Sequence, residues 1–497
     1  MELKDKVVSG FFWHSTERFG ALALQSVVGI ILARMLTPAD FGMVSMLVVF
    51  SAVAQSVVDS GFTQALIRKP HATQIEYSSI FYLNIAASVA LYLVLLALAG
   101  PIARFYDQPD LVRYAAPVFA AIPVSALGFV QNAVIIKNMK FRTSAAINLT
   151  ATVATGVVAV WMAYAGMGIW ALVVQTVARE AVRVAMMWVW NRWMPSLTFS
   201  WGAVREMFGF GSRLMASSII GQISANLAQL FIGKVYTPAQ LGLYYQSQKL
   251  SGVFSTTTAQ AILNVTFPAL AHIQDNEAKM REASRKILIM TSFVLFPLLV
   301  GLAGIAGDFF RVVLTDKWMG AVPYFRIFCL SGLFLPASYM VYNVLRVKGY
   351  GGMILRADII KRIFMLGAVL ATVWISVMAV VWAMFAYGVV DAAVNLWYAD
   401  RRARLNITPL LRDSFPYLVF SALMLVAIWA LGFLSPRVPA LWLMCVKIVA
   451  GAGVYVALAA LFRTEAWTES RIIARQYVNK LQWVLPWQRS RPKRTGD

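Results

Sequence analysis

The chain has 497 residues, of which 60% are apolar and only 13% charged, against about 45–50% and about 25% in an average soluble protein. Its net charge is +22, and its two cysteines and three histidines lie far apart, without the spacing of a disulfide framework or a zinc site. This composition excludes a soluble globular or disordered chain, predicts an all-α polytopic membrane protein, and gives no reason to expect a metal or a cofactor.

Fourteen apolar runs are long enough to cross about 30 Å of hydrocarbon, which takes about 20 residues. In chain order these predicted spans are 9–35, 41–67, 78–102, 111–136, 144–164, 169–190, 208–233, 241–270, 287–310, 323–345, 355–376, 379–399, 415–434 and 439–462. The span 241–270 is polar and should fail a hydropathy threshold. The run 353–398 is predicted to be two spans with a break near residue 376, by analogy with an internal repeat of the chain. No cleavable signal peptide is expected, because the first run is too long and lacks a small-residue cleavage site.

Basic residues concentrate in alternate connecting segments. With the N-terminus in the cytoplasm, the cytoplasmic segments carry 31 Lys and Arg residues and the outer segments carry 7. Positive charge is retained on the cytoplasmic side of membrane proteins, so both termini are predicted to be cytoplasmic. The same bias accounts for the net charge without nucleic-acid binding.

The chain contains an internal repeat. The segment Thr37 to Gly42 (TPADFG) recurs as Thr237 to Gly242 (TPAQLG), and three shorter matches follow in order at offsets of 207 to 213 residues. The repeat predicts two six-span lobes related by a pseudo-two-fold axis along the membrane normal, which is typical of transporters with a site near the midplane. The predicted divisions are 1–200 and 201–405 for the lobes, 406–464 for two further spans, and 465–497 for a basic amphipathic tail held to anionic cytoplasmic lipid.

Polar side chains inside the spans concentrate on the first two spans of each lobe. Ionisable groups at bilayer depth are costly unless they face protein or water, so these four spans are predicted to line a hydrated, cationic cavity. The candidate substrate-binding residues are Arg18, Gln25, Gln55, Arg213, Gln222, Asn226, Gln246, Gln248 and Lys249, and the candidate ion-coupling residues are Glu17 and Asp59. Cationic and amide groups suit a substrate that is anionic at one end and rich in hydroxyls elsewhere.

Two alternatives apply to particular charges. Glu17, Arg18 and Arg213 lie within a few residues of a cytoplasmic end, where long side chains also reach the interface without any role in a cavity. Arg179, Glu180 and Arg183 are interpreted as a packed ion cluster. Lys249 lies deeper in its span and favours the cavity interpretation.

Several segments resemble a known family. Residues 34–42, 59–68 and 77–84 resemble the first three helices of Wzx-type polysaccharide flippases, and residues 241–250 and 267–271 resemble their eighth helix. These flippases belong to the multidrug/oligosaccharidyl-lipid/polysaccharide exporter superfamily. The resemblance implies a V-shaped pair of lobes in a bacterial inner membrane that exports an undecaprenyl-pyrophosphate-linked oligosaccharide by alternating access, for O-antigen, exopolysaccharide or capsule assembly.

The resemblance also implies roles for particular residues and partners. Arg18, Arg213 and Lys249 would contact the pyrophosphate, and the five glutamines Gln25, Gln55, Gln222, Gln246 and Gln248 would contact the sugars. Glu17 and Asp59 would carry a proton or sodium ion. Polymerase and assembly proteins of polysaccharide synthesis would be partners, and the chain would not be an enzyme.

Three other functions remain open at this point. An ion-coupled multidrug antiporter of the same superfamily would need an acidic, aromatic cavity for organic cations. A membrane-embedded polymerase or ligase would need a large outer loop with catalytic residues, whereas the longest outer connections here have about ten to fifteen residues. A non-transporting scaffold would not need buried cations.

Overall fold

The computed structural model describes residues 20–59, 62–403, 405–433 and 439–472, all with their side chains except 59, 210, 213, 260–265, 268 and 269. Among these residues there is no β-strand, and almost all of them are helical. The prediction of an all-α membrane protein is therefore confirmed.

The helices follow one another with short connections. In chain order they are α1 (Gly20–Met35), α2 (Pro38–Asp59), α3 (Phe62–Arg68), α4 (Gln74–Ala97), α5 (Ala99–Phe105), α6 (Leu111–Lys137), α7 (Phe141–Tyr164), α8 (Trp170–Asn191), α9 (Trp201–Val235), α10 (Pro238–Ala271), α11 (Glu277–Gly304), α12 (Ala306–Phe309), α13 (Val322–Ser331), α14 (Leu335–Val347), α15 (Gly351–Thr372), α16 (Val377–Ala403), α17 (Ile407–Gly432), α18 (Ala440–Leu461) and α19 (465–472). A π-helical turn, Phe310–Leu314, and a 3-10 turn, Asp316–Ala321, connect α12 to α13.

Within the described residues, ten segments are long and apolar enough to cross a membrane. The predicted spans beyond these ten contain α1, a shorter apolar helix, and α8, α10 and α15. The polar span 241–270 coincides with α10 and falls short on hydropathy, as expected. The run 353–398 is two helices, α15 and α16, separated at residues 373–376. The total of fourteen membrane crossings stays a prediction.

The chain forms two compact units. The first comprises Met1–Val253, Phe309–Phe328 and Ile359–Tyr387, and the second comprises Phe254–Asp308, Cys329–Asp358 and Gly388–Asp497. The first unit therefore brings together α1 to α9 with segments from the second half of the sequence. The division into lobes at residues 200 and 405 follows the repeat rather than these packing units, and it stays a prediction.

In the second unit, α11 packs against α17, and α17 packs against α18. The helix α19 docks here through ion pairs: the guanidinium of Arg285 bridges Asp413 and Glu465, and Lys286 lies 3.6 Å from Glu469. The first eight residues of the predicted lipid-bound tail are thus a helix held to the protein by charge pairs, and residues 473–497 lie outside the described residues.

A buried ion pair ties α18 to α12. Lys447 Nζ lies 2.6 Å from Asp308 Oδ2, and the two side chains are 9% and 18% exposed. Removing one partner of a buried pair leaves an uncompensated charge, which costs about 3–5 kcal/mol.

We therefore expect Lys447→Met to lower the thermal unfolding midpoint of the purified protein in detergent markedly. Arg311→Met is the matched control, because it breaks an ion pair with Asp316 whose members are 58% and 79% exposed, and such pairs contribute about 1 kcal/mol or less. Equal midpoints for the two variants would contradict a stabilising role for the buried pair.

Candidate substrate cavity

A cavity of about 290 Å³ with several polar side chains in its lining lies inside the first unit, walled by α1, α2, α6, α7, α8 and α10. A second chamber of about 360 Å³ adjoins it, walled by α2, α6, α7, α8 and α9. The two chambers share Ala52, Gln55, Arg179 and Glu180 in their walls. Four of the wall helices, α2, α6, α7 and α9, include segments long and apolar enough to cross a membrane.

The helix α8 supplies most of the charge. Gln175, Arg179 and Arg183 follow at intervals of four residues and therefore lie along one face of the helix, which borders the chambers. Glu180 Oε2 accepts hydrogen bonds from Arg183, at 2.9 Å from Nε and 2.5 Å from a terminal guanidinium nitrogen. Arg179 makes no hydrogen bond or ion pair with any described residue, and its guanidinium interacts with the Glu180 carboxylate only at longer range.

The helix α10 contributes a second cation. Lys249 lines the first chamber together with Tyr245, one helical turn earlier, and its Nζ lies 5.7 Å from the centre of the Tyr245 ring. Among the described residues, the charged side chains in the lining of the two chambers are Arg179, Arg183, Lys249 and Glu180. These are three positive groups and one negative group, so the described part of the lining carries a net positive charge.

The predicted site residues occupy different positions. Gln25, Gln55 and Lys249 line the first chamber, and Gln55 and Gln222 line the second. Asn226 lies one turn beyond Gln222 on α9 and donates a hydrogen bond of 2.8 Å to its carbonyl oxygen.

The remaining predicted residues lie elsewhere. Gln248 Oε1 accepts a hydrogen bond of 2.9 Å from Gln229, which joins α9 to α10, and Gln246 is buried outside the lining of both chambers. Glu17 and Arg18 lie outside the described residues, as do the side chains of Asp59 and Arg213. The roles proposed for all these residues stay predictions.

Sequence reasoning did not place Arg179, Glu180 and Arg183 in the cavity. The expected ion pair is present between Glu180 and Arg183, but the cluster lies in the cavity wall. The spacing of Gln175, Arg179 and Arg183 at intervals of four residues could have predicted this placement, because it defines a polar stripe along a predicted membrane span. Asn132 and Asn148, one each on α6 and α7, also line the second chamber without having been predicted.

The repeated Thr-Pro turns meet at one end of the first chamber. Each turn begins a helix with reciprocal capping: Asp40 N donates to the Thr37 hydroxyl and Asp40 Oδ2 accepts from Thr37 N, and Gln240 and Thr237 repeat the pattern. Pro38 and Pro238 occupy the first position of α2 and α10, where no N–H donor is needed.

Two glycines let these turns touch at the backbone. A Cβ on Gly42 would lie 1.8 Å from the Pro238 carbonyl oxygen, and a Cβ on Gly242 would lie 1.8 Å from the Pro38 carbonyl oxygen. The contact is reciprocal, as a local two-fold relation between the turns requires. The sequence repeat therefore has a structural counterpart: equivalent residues of its two copies pack on each other.

Side chains cover this junction. Trp318, fully buried, donates from Nε1 to the Ala33 carbonyl oxygen at 2.8 Å, and its ring packs edge-on against Phe41, which lines the cavity. Lys317 donates to the Arg34 carbonyl oxygen at 3.1 Å. These contacts cover the junction beside the chamber, and the positive-inside rule predicts that this end of the chamber faces outward.

Other charges of the first unit are paired away from the cavity. Lys69, in the connection after α3, donates hydrogen bonds of 2.8 Å to Glu206 and 2.6 Å to Glu76. These two bonds raise the pKa of Lys69 above its usual value. The carboxylates of Glu76 on α4 and Glu206 on α9 both accept hydrogen bonds from Lys69. They therefore join these two helices to the connection after α3, and neither lines the cavity.

A polar cavity with charged side chains between predicted spanning helices is typical of membrane transporters. Residues 31–323 match the family described as "Polysaccharide biosynthesis protein". The chain belongs to this family, which confirms the resemblance found in its sequence motifs.

Three relatives show how much of the chain the similarity covers. TuaB of Bacillus subtilis (strain 168), a teichuronic acid biosynthesis protein, is 25% identical over 85% of this chain and 88% of its own length. WzxC of Escherichia coli (strain K12), a lipopolysaccharide biosynthesis protein, is 24% identical over 74% and 75%. ExoT of Rhizobium meliloti (strain 1021), a succinoglycan biosynthesis transport protein, is 25% identical over 81% of each chain.

Solved structures share the fold. The lipid II flippase MurJ in an inward closed conformation aligns with a TM-score of 0.71 at 13% identity, over 90% of this chain and 98% of its own. An inward-facing multidrug resistance transporter of the MATE family aligns with a TM-score of 0.58 at 15% identity, over 79% and 96%. At these identities the alignments establish the fold alone.

Proposed function

We propose that the protein is a flippase that moves an undecaprenyl-pyrophosphate-linked oligosaccharide from the cytoplasmic to the outer leaflet of a bacterial inner membrane. The observation that carries this proposal is the placement of Arg179 and Lys249 in an amide-lined cavity between membrane-crossing helices. The names of the relatives, which refer to teichuronic acid, lipopolysaccharide and succinoglycan, support a polysaccharide precursor as the substrate.

The cavity chemistry matches the two polar parts of such a substrate. Pyrophosphate oxygens accept charge-assisted hydrogen bonds, which guanidinium groups supply in pairs and ammonium groups singly. The carboxamides of Gln25, Gln55 and Gln175 both donate and accept, as sugar hydroxyls require. An anion bound between Arg179 and Lys249 offsets the cost of holding two cations at bilayer depth, so the substrate stabilises the loaded cavity.

A multidrug antiporter is the alternative function, and the charge of the cavity disfavours it. An organic cation would meet Arg179, Arg183 and Lys249. Glu180, the one carboxylate among the described lining residues, is already paired with Arg183. Tyr245, the aromatic side chain beside the cations, has Lys249 over its ring.

Finer features of the proposal concern orientation, coupling and partners. Both termini lie in the cytoplasm, and the end closed by the glycine junction faces outward. Transport is coupled to a proton or sodium ion through Glu17 or Asp59, and polymerase and assembly proteins receive the product. These features are supported by the distribution of basic residues and by the family resemblance.

The function is tested by reconstituting the purified protein in vesicles that contain a fluorescent undecaprenyl-pyrophosphate-linked sugar. We expect the protein to make the inner-leaflet pool accessible to a membrane-impermeant quencher, and to leave a fluorescent phosphatidylglycerol in place. Movement of a cationic dye without movement of the glycolipid would favour the antiporter and overturn the proposal.

Lys249 provides a prediction within cells. We expect Lys249→Ala to reduce surface polysaccharide about 10-fold or more, because a hydrogen bond to a charged group contributes about 1.5–3 kcal/mol. Lys249→Arg should retain part of the output, and Lys279→Ala, at an exposed position in the first turn of α11, is the control. Polymer output is measured with matched protein levels in the membrane. Unchanged output in Lys249→Ala would remove this residue from the site.

A further inference from the structure

The carboxylate of Glu180 is a negative charge in the wall of a cavity whose other described charges are positive. Its side chain lines both chambers, next to Arg179 in the sequence, and is 20% exposed. A pyrophosphate bound nearby is repelled by this carboxylate, because like charges interact strongly in a partly dehydrated cavity. Binding an anion therefore does not require Glu180, and its position in the wall needs a separate explanation.

The hydrogen bonds of Glu180 show which cation it holds. Its Oε2 accepts both bonds from Arg183, at 2.9 Å from Nε and 2.5 Å from Nη2. One carboxylate oxygen thus occupies the edge of the guanidinium that can otherwise bind two oxygens of a phosphate. Arg179 makes no such bond with any residue that the structure describes. Arg183 is therefore held in an internal ion pair, while Arg179 can donate to a ligand.

The two arginines lie at different distances from the glycine junction. The first chamber reaches Phe41 at this junction and is lined on α8 by residues between Leu172 and Glu180, whereas Arg183 lines the second chamber. An interval of four residues along a helix corresponds to about 6 Å. An anion that passes through the second chamber toward the junction therefore meets Arg183 first and Arg179 one helical turn later.

We propose that Glu180 is a positioning residue that transfers the pyrophosphate from Arg183 to Arg179 by competing with the pyrophosphate for Arg183; the inference rests on the proposed function. The pyrophosphate displaces Glu180 from Arg183 as it enters the second chamber. When the carboxylate returns to Arg183, its charge drives the pyrophosphate one turn along α8, to Arg179 and Lys249. Because one anion replaces the other, the Arg183 guanidinium is never left uncompensated inside a predicted membrane span.

The same competition limits how tightly the substrate binds. A transport site must bind its substrate and also release it, and three cations together would hold a doubly charged pyrophosphate strongly. Arg179, Arg183 and Lys249 contribute three positive charges, and Glu180 subtracts one, so the described lining has a net charge of +2. Removing the carboxylate should therefore strengthen binding and slow release.

The test compares binding with movement in Glu180→Gln. Two water-soluble probes are titrated against the purified protein: a short-chain isoprenyl pyrophosphate linked to glucose, with two negative charges, and the corresponding single phosphate, with one. At about 10 Å and an effective dielectric constant of about 20, removing the carboxylate gains roughly 10-fold in affinity for each ligand charge. We expect Glu180→Gln to bind the phosphate about 10-fold and the pyrophosphate about 100-fold more tightly. In vesicles its maximal rate of glycolipid movement should fall about 10-fold, because affinity changes appear mainly in the dissociation rate.

Three variants serve as controls. Glu180→Asp keeps the charge and should keep binding and movement close to those of the unmodified protein. Glu206→Gln removes a carboxylate that is 61% exposed and pairs with Lys69 outside both chambers, so it should change neither measurement. Glu180→Gln combined with Arg183→Gln restores the net charge of the lining and should return the affinities for both probes toward the unmodified values.

The outcomes separate this inference from the proposed function. Unchanged or weaker binding by Glu180→Gln, equal tightening for both probes, or tighter binding without slower movement would overturn the inference. A variant that only loses its fold would lose rate without binding more tightly, which also contradicts it. If the unmodified protein binds neither probe and moves no glycolipid, the proposed function fails, and the inference fails with it.

Discussion

Replacing Gly42 with alanine is expected to abolish polysaccharide export. The added Cβ would lie 1.8 Å from the Pro238 carbonyl oxygen and 2.6 Å from its carbonyl carbon, where ordinary contacts begin near 3.4 Å. Both obstructing atoms are backbone at the start of α10, so no side-chain rotation relieves the overlap. The ends of α2 and α10 must separate by more than 1 Å, and closely packed interiors accommodate such shifts only at a cost of about 1–3 kcal/mol or more.

The predicted consequence is a chamber that no longer closes at the glycine junction. A cysteine introduced at Ser45, a buried residue of the chamber wall, should react faster with a membrane-impermeant maleimide added outside the cell than the same cysteine in the otherwise unmodified protein. Gly242→Ala should give the same result, because the contact is reciprocal. Polymer at the surface and maleimide labelling in a background without native cysteines are the two measurements.

Gly100→Ala is the control for this experiment. Gly100 lies in α5, and a Cβ added there meets no atom within 4 Å, so export and labelling should match those of the unmodified protein. Normal export by Gly42→Ala, with Ser45→Cys still protected, would show that the junction does not need its close contact.

Replacing Arg179 with glutamine is expected to lower glycolipid movement about 100-fold. A guanidinium that binds pyrophosphate through two charge-assisted hydrogen bonds loses both on substitution, and each contributes about 1.5–3 kcal/mol. Arg179→Lys should retain the charge and lose the two-point geometry, which gives an intermediate rate. The measurement is the initial rate of glycolipid movement in vesicles that contain equal amounts of each variant.

Two further variants separate the cation of Arg179 from general charge effects. Arg205→Gln removes an exposed charge at the start of α9 and should leave the rate unchanged. The double variant Glu180→Gln with Arg183→Gln removes the ion pair but keeps the net charge of the cavity, so its defect should be milder than that of Arg179→Gln. A rate for Arg179→Gln equal to that of Arg205→Gln would exclude Arg179 from substrate binding.

Local signals predicted much of this structure. The length of the apolar runs predicted the helices, and the repeat predicted the division between α15 and α16. The Thr-Pro-Ala turns were expected to begin helices, and Thr37 and Thr237 do cap α2 and α10. Gln25, Gln55 and Lys249 were selected as polar groups inside predicted spans, and all three line the first chamber.

Features that depend on tertiary packing were not predicted. The sequence suggested a packed ion cluster of Arg179, Glu180 and Arg183. In the structure, α8 packs against α6 and α7 so that Glu180 forms its ion pair with Arg183, while Arg179 lines the first chamber. Gln248, like Gln55, is a glutamine inside a predicted span, but its side-chain oxygen accepts a hydrogen bond from Gln229. The repeat identified two equivalent turns, yet no local property of the sequence indicates that Gly42 and Gly242 meet.

The most direct measurement is an experimental structure of the protein with an undecaprenyl-pyrophosphate-linked sugar bound. We predict that pyrophosphate oxygens lie within hydrogen-bond distance of the Arg179 guanidinium and the Lys249 ammonium, with sugars against the carboxamides of the chambers. A pyrophosphate bound elsewhere, with both chambers empty, would contradict the assignment of this cavity as the substrate site.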